Sequence, residues 1–318
     1  MSVEPLPPLA RALSDTDLRL LRVFQTVVRC GGLTAAESEL DIGRSTISRH
    51  LKALEERLGA TLCHRGRSGF VLTDEGTRVF DAAERLLAAV GQFRTEVEEI
   101  NDHLRGHLRV ALFDKTVTNP AANIAGALGD FATRAPEVGI EMHVGPTNQI
   151  EAGVIDGAWQ VGIIPTHRPS PALDYIPLFR EQMVLYCGRS HPLFARPDQR
   201  GNEREVWAQK YAGLGFHSPN METGNAFGLT RAAEASDQEA IATLILSGRY
   251  IGFLPEHYAE PFVARQLVRP LHPERFRYTC EFAAIYRRSP PPSRLLDIFL
   301  ACLRRAHATP APAAAVTA

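Results

Sequence analysis

The chain has little that would staple it, anchor it or polarise it as a whole. Its 318 residues include five cysteines (Cys30, Cys63, Cys187, Cys280 and Cys302), odd in number, scattered, and without a C-x-x-C pair. That pattern argues against a disulfide framework and a structural zinc site, and it points to a reducing, cytoplasmic setting. No apolar run approaches the length a bilayer requires, and no basic stretch leads into an apolar one at the N-terminus, so neither membrane spanning nor secretion is expected. The net charge is only −1 at pH 7, so attraction to a polyanion has to be local. Catalytic signatures are missing too. There is no G-x-G-x-x-G, no G-x-S-x-G, no P-loop and no His/Glu metal pattern, and neither an enzyme nor a cofactor or metal is called for.

What is present reads as folded. Hydrophobic residues make up 45% and charged residues 22% of the chain, the balance of a globular protein. The length exceeds what one core ordinarily fills, so two domains or more are expected. The ends, residues 1–15 and 308–318, are rich in Pro and Ala and are expected to be tails.

The local charge sits in "DIGRSTISRHLKALEERLGATLCHRGRSGF", residues 41–70. Before it, Leu20, Leu21, Phe24, Val27 and Val28 form one stripe of an amphipathic helix. "CGG" stops that helix, and a short second helix opens at "TAAESEL", where Thr34 and Glu37 have the spacing of a capping box. A third helix is predicted from about Ser45 to Leu58, with Ile47, Leu51, Leu54 and Leu58 turned inward. Arg44, Thr46, Ser48, Arg49 and Lys52 are left for its outer side or N-terminal end. Two helices joined by a tight turn, the second bearing hydroxyls and Arg, match a helix-turn-helix. Arg pairs bidentately with guanine, while Ser and Thr reach bases or phosphates. A Gly-containing hairpin follows, with Arg65 and Arg67 at its tip, a wing suited to phosphate or the minor groove. A solvated helix face and a plain hairpin tip are the bland alternatives.

Thr73 caps a long helix predicted to reach about Ile100, with Asp74 and Glu75 in its first turn. Along it Val79, Ala83, Leu86, Val90, Phe93, Val97 and Ile100 alternate spacings of four and three, a heptad seam whose length and strict alternation call for a partner helix, with packing onto its own domain as the alternative.

The run from Leu18 to Thr77 resembles the DNA-binding domain of LysR-type transcriptional regulators. It carries Ala35-Ala36, Leu40, Ser48-Arg49, Leu54-Glu55, Leu58-Gly59, Leu62, Arg65 and Leu72-Thr73 with Gly76 at the positions of that family's motif. Arg44 stands where the family usually has Gln, and Cys63 where it usually has Phe. The resemblance implies contacts to double-stranded promoter DNA from Arg44, Ser45, Ser48 and Arg49. It also implies a coiled-coil homodimer, often a homotetramer, and a contact with RNA polymerase if the protein activates.

Beyond Gly106 strands and helices alternate, which predicts a mostly parallel sheet with helices on both faces. By the same resemblance this is an effector domain of two periplasmic-binding-protein-like α/β lobes, with a small-molecule site in the cleft. The expected organisation is therefore a winged helix-turn-helix over 16–73, a linker (dimerisation) helix over 74–104 and the effector domain over 105–307.

Open α/β sheets bind ligands beyond the carboxyl ends of their strands, which singles out "FDKTVTNP", "GPTNQ" and "IPTHRP". Asn119 before Pro120 reads as a helix start suited to an anion, with Lys115, Thr116 and Thr118 as further donors, so an anionic effector is one expectation. Thr147, Thr166, His167, His217, Ser218 and Phe253 complete the candidate cleft. Capping alone would equally explain Thr116, Thr118 and Asn119, and a histidine such as His217 is more often a satisfied loop residue than a ligand. Two other classes compete with a regulator: an α/β enzyme with a helical tether, and a solute-binding protein whose head mediates assembly.

Overall fold

The computed structural model describes residues 13–66, 69–99, 104–195 and 204–308, and it divides into two compact units, Met1–Arg94 and Thr95–Ala318. The first unit contains α1 (Asp15–Arg29), α2 (Leu33–Leu40), α3 (Arg44–Leu58), the hairpin β1 (Cys63–Gly66) and β2 (Gly69–Leu72), and most of α4 (Asp74–Glu99). A capping box opens α1: Ser14 Oγ accepts the Asp17 N–H, and the Asp17 carboxylate accepts the Ser14 N–H at 2.9 Å. The stripe read from the sequence is the core, where Leu20, Leu21, Phe24 and Val27 of α1 meet Ile47, Leu51 and Leu54 of α3. Phe24 is fully buried and meets Phe80 of α4 edge-on at 6.4 Å.

The turn between α2 and α3 differs from expectation. Gly32 caps α2 without a side-chain bond, so Thr34 already lies inside the first turn and the capping box does not form. Glu37 instead reaches over the turn and accepts the Arg44 N–H at 2.6 Å, satisfying an orphan donor at the start of α3. Glu55 fastens the hairpin to α3 by accepting the N–H groups of Leu62 at 2.9 Å and Cys63 at 3.4 Å. Thr73 caps α4 through the Gly76 N–H at 2.9 Å while its hydroxyl donates to the Thr61 carbonyl. Residue 76 has to be Gly, because a Cβ there would lie 1.9 Å from the Leu62 carbonyl oxygen.

The second unit runs β3 (Gly106–Leu112), a 3-10 turn at Thr116–Thr118, α5 (Ile124–Arg134), β4 (Val138–Val144), α6 (Thr147–Asp156), β5 (Val161–Pro165) and β6 (Leu173–Gly188). It continues with α7 (Arg204–Trp207), β7 (Tyr211–Leu214), α8 (Pro219–Ala226), β8 (Arg231–Ala235), α9 (Gln238–Leu246), β9 (Ile251–Pro255), α10 (Glu256–Ala264), β10 (Val268–Pro270), β11 (Arg277–Arg287) and α11 (Arg294–Ala308). The sheet order is β4-β3-β5-β11-β6-β9-β7-β8, with β10 on β6.

Each end of the sheet is a parallel block, β4-β3-β5 in one lobe and β9-β7-β8 in the other. The sheet as a whole is mixed rather than mostly parallel, because β6 and β11 cross between the lobes in opposite directions and pair antiparallel throughout. Leu173–Phe179 of β6 lie opposite Phe282–Arg287, and Arg180–Val184 opposite Arg277–Glu281. β11 also pairs with β5, and β6 with β9, both antiparallel. Helices cover the sheet; Phe131 of α5 and Phe299 of α11, both fully buried, meet edge-on at 5.5 Å.

The helix expected to begin at Asn119 begins at Ile124. Asn119 Oδ1 accepts the Ala121 N–H and its carbonyl accepts the Ala122 N–H, which makes a turn. Asn123, at φ 37°, then separates that turn from α5.

Candidate functional site

Two regions gather the functional candidates. In the first unit the apolar spacing of α3 turns Ile47, Leu51 and Leu54 inward and leaves Arg44, Ser45, Arg49 and Lys52 exposed, with Thr46 and Ser48 half-buried beside them. Thr34 on α2 is exposed as well. Arg49 donates to Thr46 Oγ1 at 3.1 Å, and Lys52 lies 3.8 Å from Glu56, both loose surface contacts that a polyanion would displace at little cost. Arg57 is different, since it turns inward to the fully buried Asp17 carboxylate. Its guanidinium holds the Asp17 carboxyl down at about 2, so this arginine belongs to the fold. Arg65 lies on β1, and Arg67 lies outside the described residues.

The seam on α4 divides. Val79, Ala83 and Leu86 pack into the core of the unit itself, whereas Phe93 is 65% exposed and Val90 half-buried. Val97 lies on the same helix.

The second region is the cleft of the other unit, where the carboxyl ends of both parallel blocks converge. Asp114 and Lys115 follow β3, Gly145 to Thr147 follow β4, and Thr166 and His167 follow β5; His217 and Ser218 follow β7, and Asp237 and Gln238 follow β8. Several contacts span the lobes. The rings of His167 and His217 stack with centroids 5.0 Å apart, and Asp114 Oδ2 accepts the Gln238 N–H at 2.8 Å. Burial and the neighbouring His217 push the His167 pKa down, which keeps that ring neutral at neutral pH. His217 also lies 3.3 Å from Glu222.

Several cleft groups are built into the frame. Ser218 caps α8 through the Met221 N–H. Thr166 gives both its N–H and its hydroxyl to the Glu281 carbonyl. Thr118 contacts His257 at 2.9 Å, and His257 contacts the buried Glu181 at 2.8 Å. Lys115 has φ 60°, an unusual conformation for a residue with a side chain, and pairs with Glu239 at 2.5 Å. Burial lowers its pKa, but the Glu239 bond and the nearby Tyr258 outweigh that, so it stays protonated.

Thr116 is buried at the start of the 3-10 turn. Phe253, expected at the cleft, is a core residue: it is fully buried in β9 among Tyr211, Phe227 and Tyr278. Buried polar atoms without a hydrogen-bond partner concentrate in this region, namely Thr147 Oγ1, His167 Nδ1, His217 Nδ1, Asp114 Oδ1, Gln238 Oε1 and Asn119 Nδ2. Such atoms are costly in a protein interior and mark a place where a ligand can repay the cost. Among the described residues no group of three His, Cys, Asp or Glu is placed to hold a metal ion.

Comparison with known proteins accounts for both regions. Residues 18–77 match the model described as "Bacterial regulatory helix-turn-helix protein, lysR family", and residues 101–308 that described as "LysR substrate binding domain". The chain is 43% identical over 288 residues to the HTH-type transcriptional activator BauR of Pseudomonas aeruginosa, covering 91% of this chain and 94% of that one. Its fold is similar to full-length CbnR complexed with its target DNA (TM-score 0.64, 21% identity, 92% and 100% of the two chains). It is likewise similar to a full-length, singly substituted OxyR from Pseudomonas aeruginosa (TM-score 0.58, 19% identity, 92% and 95%).

Proposed function

Because the chain belongs to the LysR family of bacterial transcriptional regulators, we propose that α3 reads promoter DNA and that a small effector, seated in the cleft of the second unit, changes how the DNA is held. The protein is a ligand-responsive DNA-binding regulator and not an enzyme. The observation that carries the DNA assignment is the exposed set Arg44, Ser45, Arg49 and Lys52 on a helix whose opposite side is core. Arg65, Arg67 and Thr34 supply phosphate contacts beside it, and Thr46 and Ser48 complete the reading edge.

Effector control is supported by contacts that span the lobes, among them His167 on His217 and Asp114 on Gln238. A ligand bound between them favours one lobe arrangement over another, and linkage transmits that preference to the DNA-bound state. The protein acts in the cytoplasm as a homodimer or homotetramer built on the part of α4 around Val90, Phe93 and Val97. It contacts RNA polymerase if, like the relative named an activator, it activates.

The test is selection of genomic fragments by the purified full-length protein and by Arg49→Ala. A small set of fragments should be enriched by the native protein and lost by the variant, at a cost of about 1–3 kcal/mol if Arg49 pairs with a guanine. Enrichment that does not change in the variant would remove α3 as the reading element.

A further inference from the structure

The groups left without partners in the cleft are not all of one kind, and those around Asp114 ask for donors. Asp114 is 9% exposed and Gln238 2%, and Asp114 Oδ1 and Gln238 Oε1 are both buried acceptors without a partner. Asp114 Oδ2 is occupied by the main-chain N–H of Gln238, which ties the Asp114 side chain to the start of α9 at the junction of the lobes. A cavity of about 560 Å³ opens beside Asp114, lined among others by Asp114, Lys115, Pro146, Asp237 and Glu239. Three carboxylates therefore face one cation, and Lys115 is already committed to Glu239 and to the face of the Tyr258 ring at 4.9 Å. The helix start at Asn119 that suggested an anion does not exist, and an anion entering here would meet the three carboxylates instead.

Resting on the reading of this cleft as the effector site, we infer that the effector carries a protonated primary amine, received by Asp114 Oδ1. A buried carboxylate is costly until it is paired, and an ammonium group supplies both the charge and the missing donors. Asp114 also has the proton affinity of a group waiting for such a partner. Burial pushes its pKa up to about 6, the Gln238 N–H and Lys115 oppose this, and Asp237 and Glu181 reinforce it. The bound amine favours the charged form, so effector affinity falls as the pH is taken from 7 to 5 and Asp114 takes up a proton. Because Asp114 of one lobe and Asp237 and Glu239 of the other line the cavity together, the bound amine tightens the junction on which effector control depends.

The experiment is calorimetric titration of the full-length protein with short primary alkylamines and ω-amino acids, and with carboxylic acids of the same lengths that lack the amine. DNA binding is followed in the same preparations. Asp114→Asn is the variant, since Asn keeps an acceptor for the Gln238 N–H and offers an N–H₂ group in place of the carboxylate. At least one amine-bearing compound should bind, and Asp114→Asn should weaken it about tenfold or more.

Binding of the plain carboxylic acids as tightly as the amines, unchanged amine affinity in Asp114→Asn, or no binding by any amine overturns the inference. The regulator reading is judged separately. Fragment binding that persists in these preparations leaves it standing, whereas loss of fragment binding by the native protein removes it whatever the amines do.

Discussion

Asp17→Asn tests what holds the DNA-binding unit together. The Asp17 side chain is fully buried and accepts two bonds from Arg57, one of them at 2.8 Å, plus the Ser14 N–H and hydroxyl. These partners lower its pKa from 3.8 to about 2. A shift of nearly two units corresponds to about 2.5 kcal/mol at 1.36 kcal/mol per unit. Arg57 is 34% exposed, so water screens the pair, and about 1–2 kcal/mol is the discounted figure.

The sign follows from the depressed pKa. The contribution is complete above about pH 4 and is lost as the pH falls through about 2. Both tryptophans, Trp159 and Trp207, lie in the other unit, so their fluorescence does not report on this one. Hydrogen exchange of peptides spanning 15–29 and 44–58 in the full-length protein does. At pH 7 the variant should exchange about 5–30-fold faster there, and by circular dichroism the two proteins should converge as the pH approaches 2. Protection in both helices equal to native within a factor of about two would refute the assignment of Arg57 to the fold.

Two further substitutions probe α4. Gly76→Ala places a Cβ against the Leu62 carbonyl and should cost about 1–3 kcal/mol, read as a lower melting temperature and faster exchange across residues 74–86; native stability would show that this close approach does not matter. Phe93→Glu puts a charge on the exposed part of the seam and should raise the dimer dissociation constant about tenfold or more by sedimentation, whereas an unchanged constant would place the subunit interface elsewhere.

The DNA-binding unit was legible because its information is local. Spacings of four and three set the inward residues of α1 and α3, and the family motif runs through them without gaps. The heptad seam was legible as a pattern but not as a destination, since Val79 and Leu86 satisfy it by packing into their own core while Phe93 does not. In the second unit the strand-end rule found the loops after β3, β4 and β5, yet it singled out neither Asp237 nor Gln238, and reached Asp114 only as part of "FDKTVTNP". Their meeting depends on β8, a short strand of the sequence "RAAEA" without an apolar alternation to announce it, and on a bond between residues 124 positions apart. Phe253 was misplaced for the converse reason: a strand buried along its whole length presents no side to a cleft. The mixed sheet was hidden because strand direction is set by where β6 and β11 cross, which no local pattern records.

The central claim is that one chain couples a ligand cleft to a DNA-reading helix. The direct measurement is affinity for a selected fragment at two salt concentrations, with and without the tightest-binding amine, together with the reverse titration of amine against the DNA-bound protein. The account predicts salt-sensitive DNA binding whose affinity or footprint shifts with amine, and an affinity change that is reciprocated by the same factor in the reverse titration. Identical DNA binding with and without bound ligand, in both affinity and footprint, would contradict it.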